Sequence, residues 1–336
     1  MNIQKRKDAF VQLGLFFSKI TVSGHSDFEN AYQFNNWFTI ENISKATEAW
    51  SLLLTKSNLD KWLSSYTLQQ SEPKTVAIIM AGNIPLVGFH DLLCVLITGN
   101  KSIIKFSEDD KILPKLVIDE LIKIEPEFAN YITISNERLP KDFDAVIATG
   151  SNNTNRYFEY YFRNKAALLR KNRTSVAVLT GNESADDLQK LGEDIFTYFG
   201  LGCRNVSKIY VPESYDLATF FESIEHHSTV LEHHKYTNNY NYHKAIFLLN
   251  LAPHLDNNFI VVKEDESLAS PLGTLFYERY TSLDLLNEKL KSRSEEIQCV
   301  VGYSGINGAV NFGKAQSPEL WDYADGVDTI DFLNNL

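Results

Sequence analysis

One thiol and its immediate neighbours offer the most chemistry in this sequence. Cys203 stands in Tyr198-Phe199-Gly200-Leu201-Gly202-Cys203-Arg204-Asn205, at the close of a helical pattern and just before the strand-like run Lys208-Ile209-Tyr210-Val211. Glycine at 200 and 202 lets the backbone approach a ligand closely and take positive φ. A cation at Arg204 favours the thiolate, the form that attacks a carbonyl carbon. Against the nucleophile stands the plainer reading of a small buried hydrophobe, which describes most free cysteines. The residues alone leave both open. Cys94, inside an apolar helical run, and Cys299, ahead of Val300-Val301, read as core.

Other polar groups gather where apolar strands end. Ala81-Gly82-Asn83, Ser107-Glu108 and Thr149-Gly150-Ser151 each follow such a run. A parallel sheet would place all three turns on one rim, where ligands of open α/β sheets bind. None contains Gly-x-Gly-x-x-Gly, so a nucleotide there would be held differently from the usual dinucleotide fingerprint. Each turn by itself reads equally as an ordinary βα connection. The histidines His226, His227, His233, His234 and His243 lack the H-E-x-x-H spacing and read as a solvated helix face, so no metal is expected. His90 reads as a packed helical histidine.

The elements that must carry these residues follow from the hydrophobic period. Residues 1–70 read as helices, one face formed by Phe10, Leu13, Phe17 and Ile20 and another running from Ala46 to Trp62. Near-continuous apolar runs at 75–80, 102–106, 131–134, 144–149 and 176–179 mark strands, the purest of them covered on both faces. Helices are expected over 86–97, opened by Pro85 and stopped at Gly99-Asn100, and over 113–124. Beyond them come helices over 185–199 and 217–234, strands at 245–249 and from 274, and a helix near 283–290. Such alternation makes parallel βαβ units with right-handed crossovers. The fold class is therefore α/β. A helical segment (1–70) packs on a nucleotide-binding domain (71–180), a catalytic domain (181–310) holds Cys203, and a tail (311–336) either folds back over the cleft or caps the surface.

Composition sets limits. At 336 residues the chain exceeds one ordinary core. A net charge of −11 argues against a nucleic-acid binder, because phosphate contacts need clustered Lys and Arg. Arg170-Lys171-Asn172-Arg173 is a local basic exception. Three scattered cysteines without a C-x-x-C pair fit a reducing cytosol, and a cytoplasmic protein is expected. Lys5, Arg6 and Lys7 ahead of an apolar stretch look superficially like a signal peptide, but Asp8 and Gln12 interrupt it and the spacing is helical. No run approaches the ~20 apolar residues of a membrane span.

Taken in order, these landmarks resemble the aldehyde dehydrogenase superfamily over roughly residues 40 to 330. More narrowly they resemble the acyl-CoA reductase family, typified by the reductase subunit of the bacterial bioluminescence fatty-acid reductase complex. Gly82-Asn83-Ile84-Pro85-Leu86 is similar to the segment whose Asn lines the oxyanion site. Lys105-Phe106-Ser107-Glu108 resembles the Lys-x-Ser-Glu loop that holds the adenosine ribose. Thr149-Gly150-Ser151 resembles the turn at the cofactor pyrophosphate, and Gly202-Cys203 takes the place of the nucleophile.

The resemblance implies a Rossmann-type parallel-sheet cofactor domain beside a second α/β catalytic domain. It implies NADPH-dependent reduction of a long-chain fatty acyl-CoA to the aldehyde through an acyl-Cys203 intermediate. Asn83 and the Cys203 N–H would stabilise the oxyanion. Lys105, Ser107 and Glu108 would meet the ribose, and Thr149, Gly150 and Ser151 the phosphates. Glu108 would repel a 2′-phosphate, so NADH stands as the alternative cofactor. Arg170, Lys171 or Arg173 would neutralise that phosphate, bind CoA phosphates, or simply be solvated. An acyl-protein synthetase is an expected partner beside acyl-CoA. The alternatives are a CoA-acylating aldehyde dehydrogenase working oxidatively and a non-catalytic subunit of the same fold.

Three departures from the superfamily pattern carry information. Hydrolytic members place a Glu base in Glu-Leu-Gly-Gly-Lys-Ser-Pro; here that position falls on Leu169 or Arg170, neither of which is a base. A thioester that water attacks poorly suits exchange with CoA and reduction. Where the family shows Glu-x-Phe-Gly-Pro, this chain has Ala269-Ser270-Pro271-Leu272-Gly273, without the Glu that meets the nicotinamide ribose. The short connector at 68–73 leaves no room for the hairpin that builds tetramers, so an oligomer remains open but a tetramer is not supported. The role of Lys314 in the tail is unassigned.

Overall fold

The computed structural model describes residues 1–68, 72–135, 139–140, 142–150, 152–303 and 305–336. Ser151 and the middle of the 68–73 connector lie outside them. The chain divides into two compact units, Met1–Asn172 with Glu319–Leu336, and Arg173–Pro318.

The first unit opens with α1 (Ile3–Ser23), α2 (Ser26–Phe34), α3 (Ile40–Leu53) and α4 (Lys56–Leu63). All four start where a side chain accepts an otherwise unmet backbone N–H: Asn2 from Lys5, His25 from Asp27, Thr39 from Asn42 and Thr55 from Asn58. Then follow β1 (Thr75–Ile79), α5 (Phe89–Ile97), β2 (Lys101–Lys105), α6 (Ile112–Ile124), β3 (Ile132–Ile134), β4 (Ala145–Thr149), α7 (Asn152–Tyr161) and β5 (Ala166–Arg170). The strands form one parallel sheet in the order β3-β2-β1-β4-β5. The chain builds outward from β1 to β3, then returns to the other side of β1 with β4. The order therefore reverses between β1 and β4, which opens a crevice at their carboxyl ends.

Alternate residues of the strands serve the two faces. Val76, Ile78, Ile104 and Ile147 join Phe10, Phe17, Phe89 and Leu93 in the main core, while Ala77, Ile103, Val146 and Ala148 pack with Phe143 on the other face. Burial of each of the valine, isoleucine, leucine and phenylalanine side chains among these contributes about 1.5–3 kcal/mol. Leu320, Tyr323, Ile330 and Leu333 of the returning C-terminal segment belong to the main core. The expected tail thus divides at Pro318.

The second unit contains β6 (Thr174–Val178), α8 (Ala185–Phe196), β7 (Val206–Pro212), α9 (Leu217–Ile224), α10 (His234–Leu249), β8 (Leu255–Asp256), β9 (Val261–Glu264), β10 (Thr274–Tyr280), α11 (Leu283–Ser292) and β11 (Ile297–Val301). Its sheet runs β11-β6-β7-β10-β9-β8, parallel except for β8. Because β6 pairs with β7 and β11, the division falls before residue 173 rather than at the expected 180.

Several expected elements differ from those observed. The run at 245–249 is the end of α10, not a strand; five apolar residues fit either period, and a helix already capped at His233 carries through them. The helix expected from 86 begins at Phe89, because Leu86 has φ 60 and sits in the turn after Pro85. The helix expected to reach 199 stops at Phe196, where Tyr198 and Phe199 take φ 54 and 58. That expected over 217–234 breaks at Ile224 into a 3-10 turn, Glu225–Glu232. β5 was not anticipated at all.

Candidate active site

Cys203 is half-buried in the loop between α8 and β7, beyond the amino edge of the second sheet. Asn205 organises this loop. Its side-chain amide donates to the carbonyls of Asp194, Ile195 and Thr197 at 3.1, 3.2 and 2.7 Å, closing the frayed end of α8. Its Oδ1 accepts the Gly202 N–H at 2.8 Å, and its own N–H donates to the Gly202 carbonyl at 3.0 Å. On the other side, the Ser175 hydroxyl donates to the Cys203 carbonyl at 3.0 Å. The backbone of Cys203 is therefore held on both flanks while the residue is only half-buried.

The segment around Lys314 docks on this loop within the second unit. Asp194, 1% exposed, accepts the N–H groups of Gly313 and Ala315 at 2.7 and 2.9 Å. Burial pushes its carboxyl up to about 6. Arg204 donates from Nε to the Ala315 carbonyl at 2.5 Å, so one face of its guanidinium is committed to the backbone. Gly313 has φ 77, and a Cβ there would stand 3.1 Å from Lys190 Cβ, which explains the glycine. Lys314 itself is exposed.

In the first unit, Asn83, Lys105, Ser107, Glu108, Thr149 and Gly150 lie on the carboxyl rim of the parallel sheet. Asn83 and Glu108 are exposed, and Lys105, Ser107, Thr149 and Gly150 half-buried. The turns after β1 and β2 are packed against each other. A Cβ on Gly82 would stand 2.5 Å from Ser107 Oγ, so only glycine allows this approach. Asp110, 2% exposed, accepts the Leu86 N–H at 2.9 Å and steadies the left-handed turn beside Asn83. Glu108 pairs with Lys111 at 2.6 Å, which holds its carboxyl below the ordinary range. Asn155 pins the turn after β4 by donating to the carbonyls of Gly150 and Arg170 at 3.0 and 2.7 Å.

The basic tract is largely structural. Arg170 is 3% exposed, pairs with Asp91 at 2.7 Å and donates to Ala324 O and Thr329 Oγ1 at 2.6 and 2.8 Å. It is not available to a phosphate. Arg173 donates to the carbonyls of Ser294 and Ile297 at 3.3 and 3.4 Å. Lys171 stays on the surface, 3.6 Å from Glu159.

Other expectations divide. Cys94 is fully buried, whereas Cys299 is half-buried with its Sγ 3.2 Å from Ser175 Oγ. His90 stacks between Trp50 and Trp62 and bonds the Leu320 carbonyl. His227 lies against Phe196 and His233 against Phe199, so these rings pack on aromatics rather than sharing one solvated helix face. Pro271, Leu272 and Gly273 line a cavity of about 30 Å³ with Phe196, Phe199 and Ile260 beneath the Cys203 loop. A larger cavity, about 350 Å³, lies at the opposite, carboxyl edge of the second sheet beside Glu183, Tyr215 and Asp216. Sequence reasoning missed Asn205, Ser175 and Asp110; only the Asn two positions beyond Cys203, a residue suited to turns, hinted at the first.

A family model described as acyl-CoA reductase (LuxC) matches residues 26–237, more than half of the chain. Sequence comparison with curated proteins finds no match. Among solved structures, aldehyde dehydrogenase 21 of Physcomitrella patens in complex with the reaction product succinate is similar at TM-score 0.70 and 10% identity, covering 100% of this chain and 84% of that one. An indole-3-acetaldehyde dehydrogenase complexed with NAD+ is similar at TM-score 0.68 and 14% identity, covering 93% and 76%. An NAD+ complex of an aldehyde dehydrogenase from Bacillus cereus is similar at TM-score 0.62 and 13% identity, covering 90% and 72%. At these identities the likeness establishes the aldehyde-dehydrogenase fold.

Proposed function

We infer the reaction from one premise: the chain belongs to the acyl-CoA reductase (LuxC) family and is an oxidoreductase acting on acyl and aldehyde groups. The reaction we propose is NADPH-dependent reduction of a long-chain fatty acyl-CoA to the fatty aldehyde, with Cys203 as the acyl carrier. The observation that carries it is the Cys203 loop. A half-buried cysteine whose backbone is held on both sides by hydrogen bonds is what a nucleophile needs and a core cysteine does not.

In this reading the Cys203 thiolate attacks the thioester carbonyl. A new C–S bond forms, the bond to CoA breaks, and CoA thiolate leaves. The Cys203 N–H stabilises the intermediate oxyanion, and Asn83 is assigned a second donor on the strength of its motif; one such donor is worth about 3–4 kcal/mol. A nicotinamide, when bound, supplies hydride to the acyl carbon. The resulting thiohemiacetal collapses to aldehyde and returns the Cys203 thiolate. No carboxylate base stands at Leu169 or Arg170, and Arg170 is an ion-paired cation, which supports transfer and reduction over hydrolysis.

The residues on the first rim fit a nucleotide. The reversal between β1 and β4, the exposed Glu108 carboxylate, the Lys105 ammonium and the glycine turn before α7 supply a sugar acceptor, a cation and a close backbone approach to phosphate. Lys111, in contact with Glu108, replaces Arg170 as the candidate cation for a 2′-phosphate.

The test is acyl-CoA-dependent NADPH oxidation with the aldehyde trapped, across a series of acyl lengths, for the wild type and Cys203→Ala. Stoichiometric aldehyde from the wild type and none from the variant is expected. Free acid as the main product, or aldehyde from Cys203→Ala, would overturn the assignment.

A further inference from the structure

We propose that Ser175 is a positioning residue for acyl transfer, holding the backbone after Cys203 so that the Cys203 N–H stays aimed at the thioester oxygen. The proposal rests on Cys203 being the nucleophile. Ser175 is the second residue of β6 and has no exposed surface. Besides donating to the Cys203 carbonyl, its hydroxyl accepts the Cys299 N–H at 3.2 Å. The β6–β7 register shifts between Ser175 and Val176, and the β6–β11 register shifts between Ile297 and Val300. Bulges at such places re-aim groups, and here two flank one hydroxyl.

Peptide planarity turns these contacts into an orientation. The Gly202 carbonyl accepts the Asn205 N–H, and no described peptide is cis, so the Cys203 N–H in that same plane points away from Asn205. The next peptide plane is fixed by its carbonyl, which Ser175 holds. With both planes set, Cys203 keeps neither φ nor ψ freedom. Its N–H and its Cα–Cβ bond then leave the backbone in one fixed relation, and rotation about χ1 is what remains to bring the thiol beside the oxyanion donor. If Ser175 only filled space, alanine would serve as well.

Two reactions of the same thiol separate positioning from general damage. Acylation by acyl-CoA passes through an oxyanion; alkylation by iodoacetamide is a substitution at a saturated carbon and does not. In Ser175→Ala, rapid-quench mass spectrometry should show Cys203 acylation slowed roughly 10–100-fold with KM for acyl-CoA unchanged. Iodoacetamide labelling of Cys203 should keep its wild-type rate. Ser175→Thr, which retains the hydroxyl, should restore acylation, and the isosteric Ser175→Cys, a weaker donor, should fall between. Wild-type acylation in Ser175→Ala, or equal slowing of both reactions, would overturn the proposal. If iodoacetamide labels wild-type Cys203 but acyl-CoA never does, the nucleophile assignment itself has failed, whatever Ser175 does.

Discussion

Gly202 and Asn205 hydrogen-bond each other twice, Gly202 N–H to Asn205 Oδ1 at 2.8 Å and Asn205 N–H to the Gly202 carbonyl at 3.0 Å, with Cys203 enclosed between them. The same Asn205 amide serves three carbonyls at the end of α8. One buried side chain thus joins the helix end to the turn that presents the thiol. Asn205→Ala would leave several buried groups unmet, each costing about 1–3 kcal/mol before water enters. We expect a net loss of about 3 kcal/mol in chemical denaturation and acylation of Cys203 slowed about 100-fold. A variant as stable and as active as the wild type would show that the loop is set elsewhere.

Arg170 should behave as a structural cation. Arg170→Ala strands Asp91 and two further acceptors in a buried place, which typically costs about 3–5 kcal/mol. The ratio of NADPH to NADH activity should not move. A stable variant with a changed cofactor ratio would return Arg170 to the phosphate site.

Lys111 should carry the preference for NADPH. Lys111→Ala is expected to lower kcat/KM for NADPH roughly tenfold while changing NADH little, and Glu108→Gln to raise activity with NADPH, both effects fading at high salt. Equal losses with the two cofactors after Lys111→Ala would remove it from that role.

Asp110 gives a pH signature. Burial, opposed by the backbone N–H groups of Leu86 and Leu113, pushes its carboxyl up to about 7, so the folded chain holds this proton more tightly than the unfolded one. Its contribution to stability is fullest below the ordinary carboxylate range and is lost as pH rises towards 7. Asp110→Asn keeps an acceptor for the Leu86 N–H and does not titrate. Relative to that variant, the wild type should lose stability between about pH 4 and 7 in denaturation curves. Parallel curves would mean that Asp110 titrates normally.

The strands that organise both sheets were readable because parallel strands buried on both faces leave near-continuous apolar runs, as at 76–79 and 145–148. β5 was not, since Ala166 and Ala167 face solvent at the sheet edge and carry no such mark. The run at 245–249 misled because its period is too short to separate helix from strand. Cys203 stood out as a candidate through its glycines. Ser175 and Asn205 did not, because a lone Ser or Asn acquires meaning only from partners distant in sequence. The role of Arg170 stayed open for the same reason: a basic tract reads alike whether its charges are solvated or buried against carboxylates.

The most direct measurement is intact-protein mass spectrometry after mixing the enzyme with long-chain acyl-CoA, followed by NADPH. The account predicts a mass gain of one acyl group, mapped to Cys203, that disappears on adding NADPH as fatty aldehyde is released. A Cys203 that stays unmodified at every acyl length, or an adduct that discharges only as free acid, would contradict it.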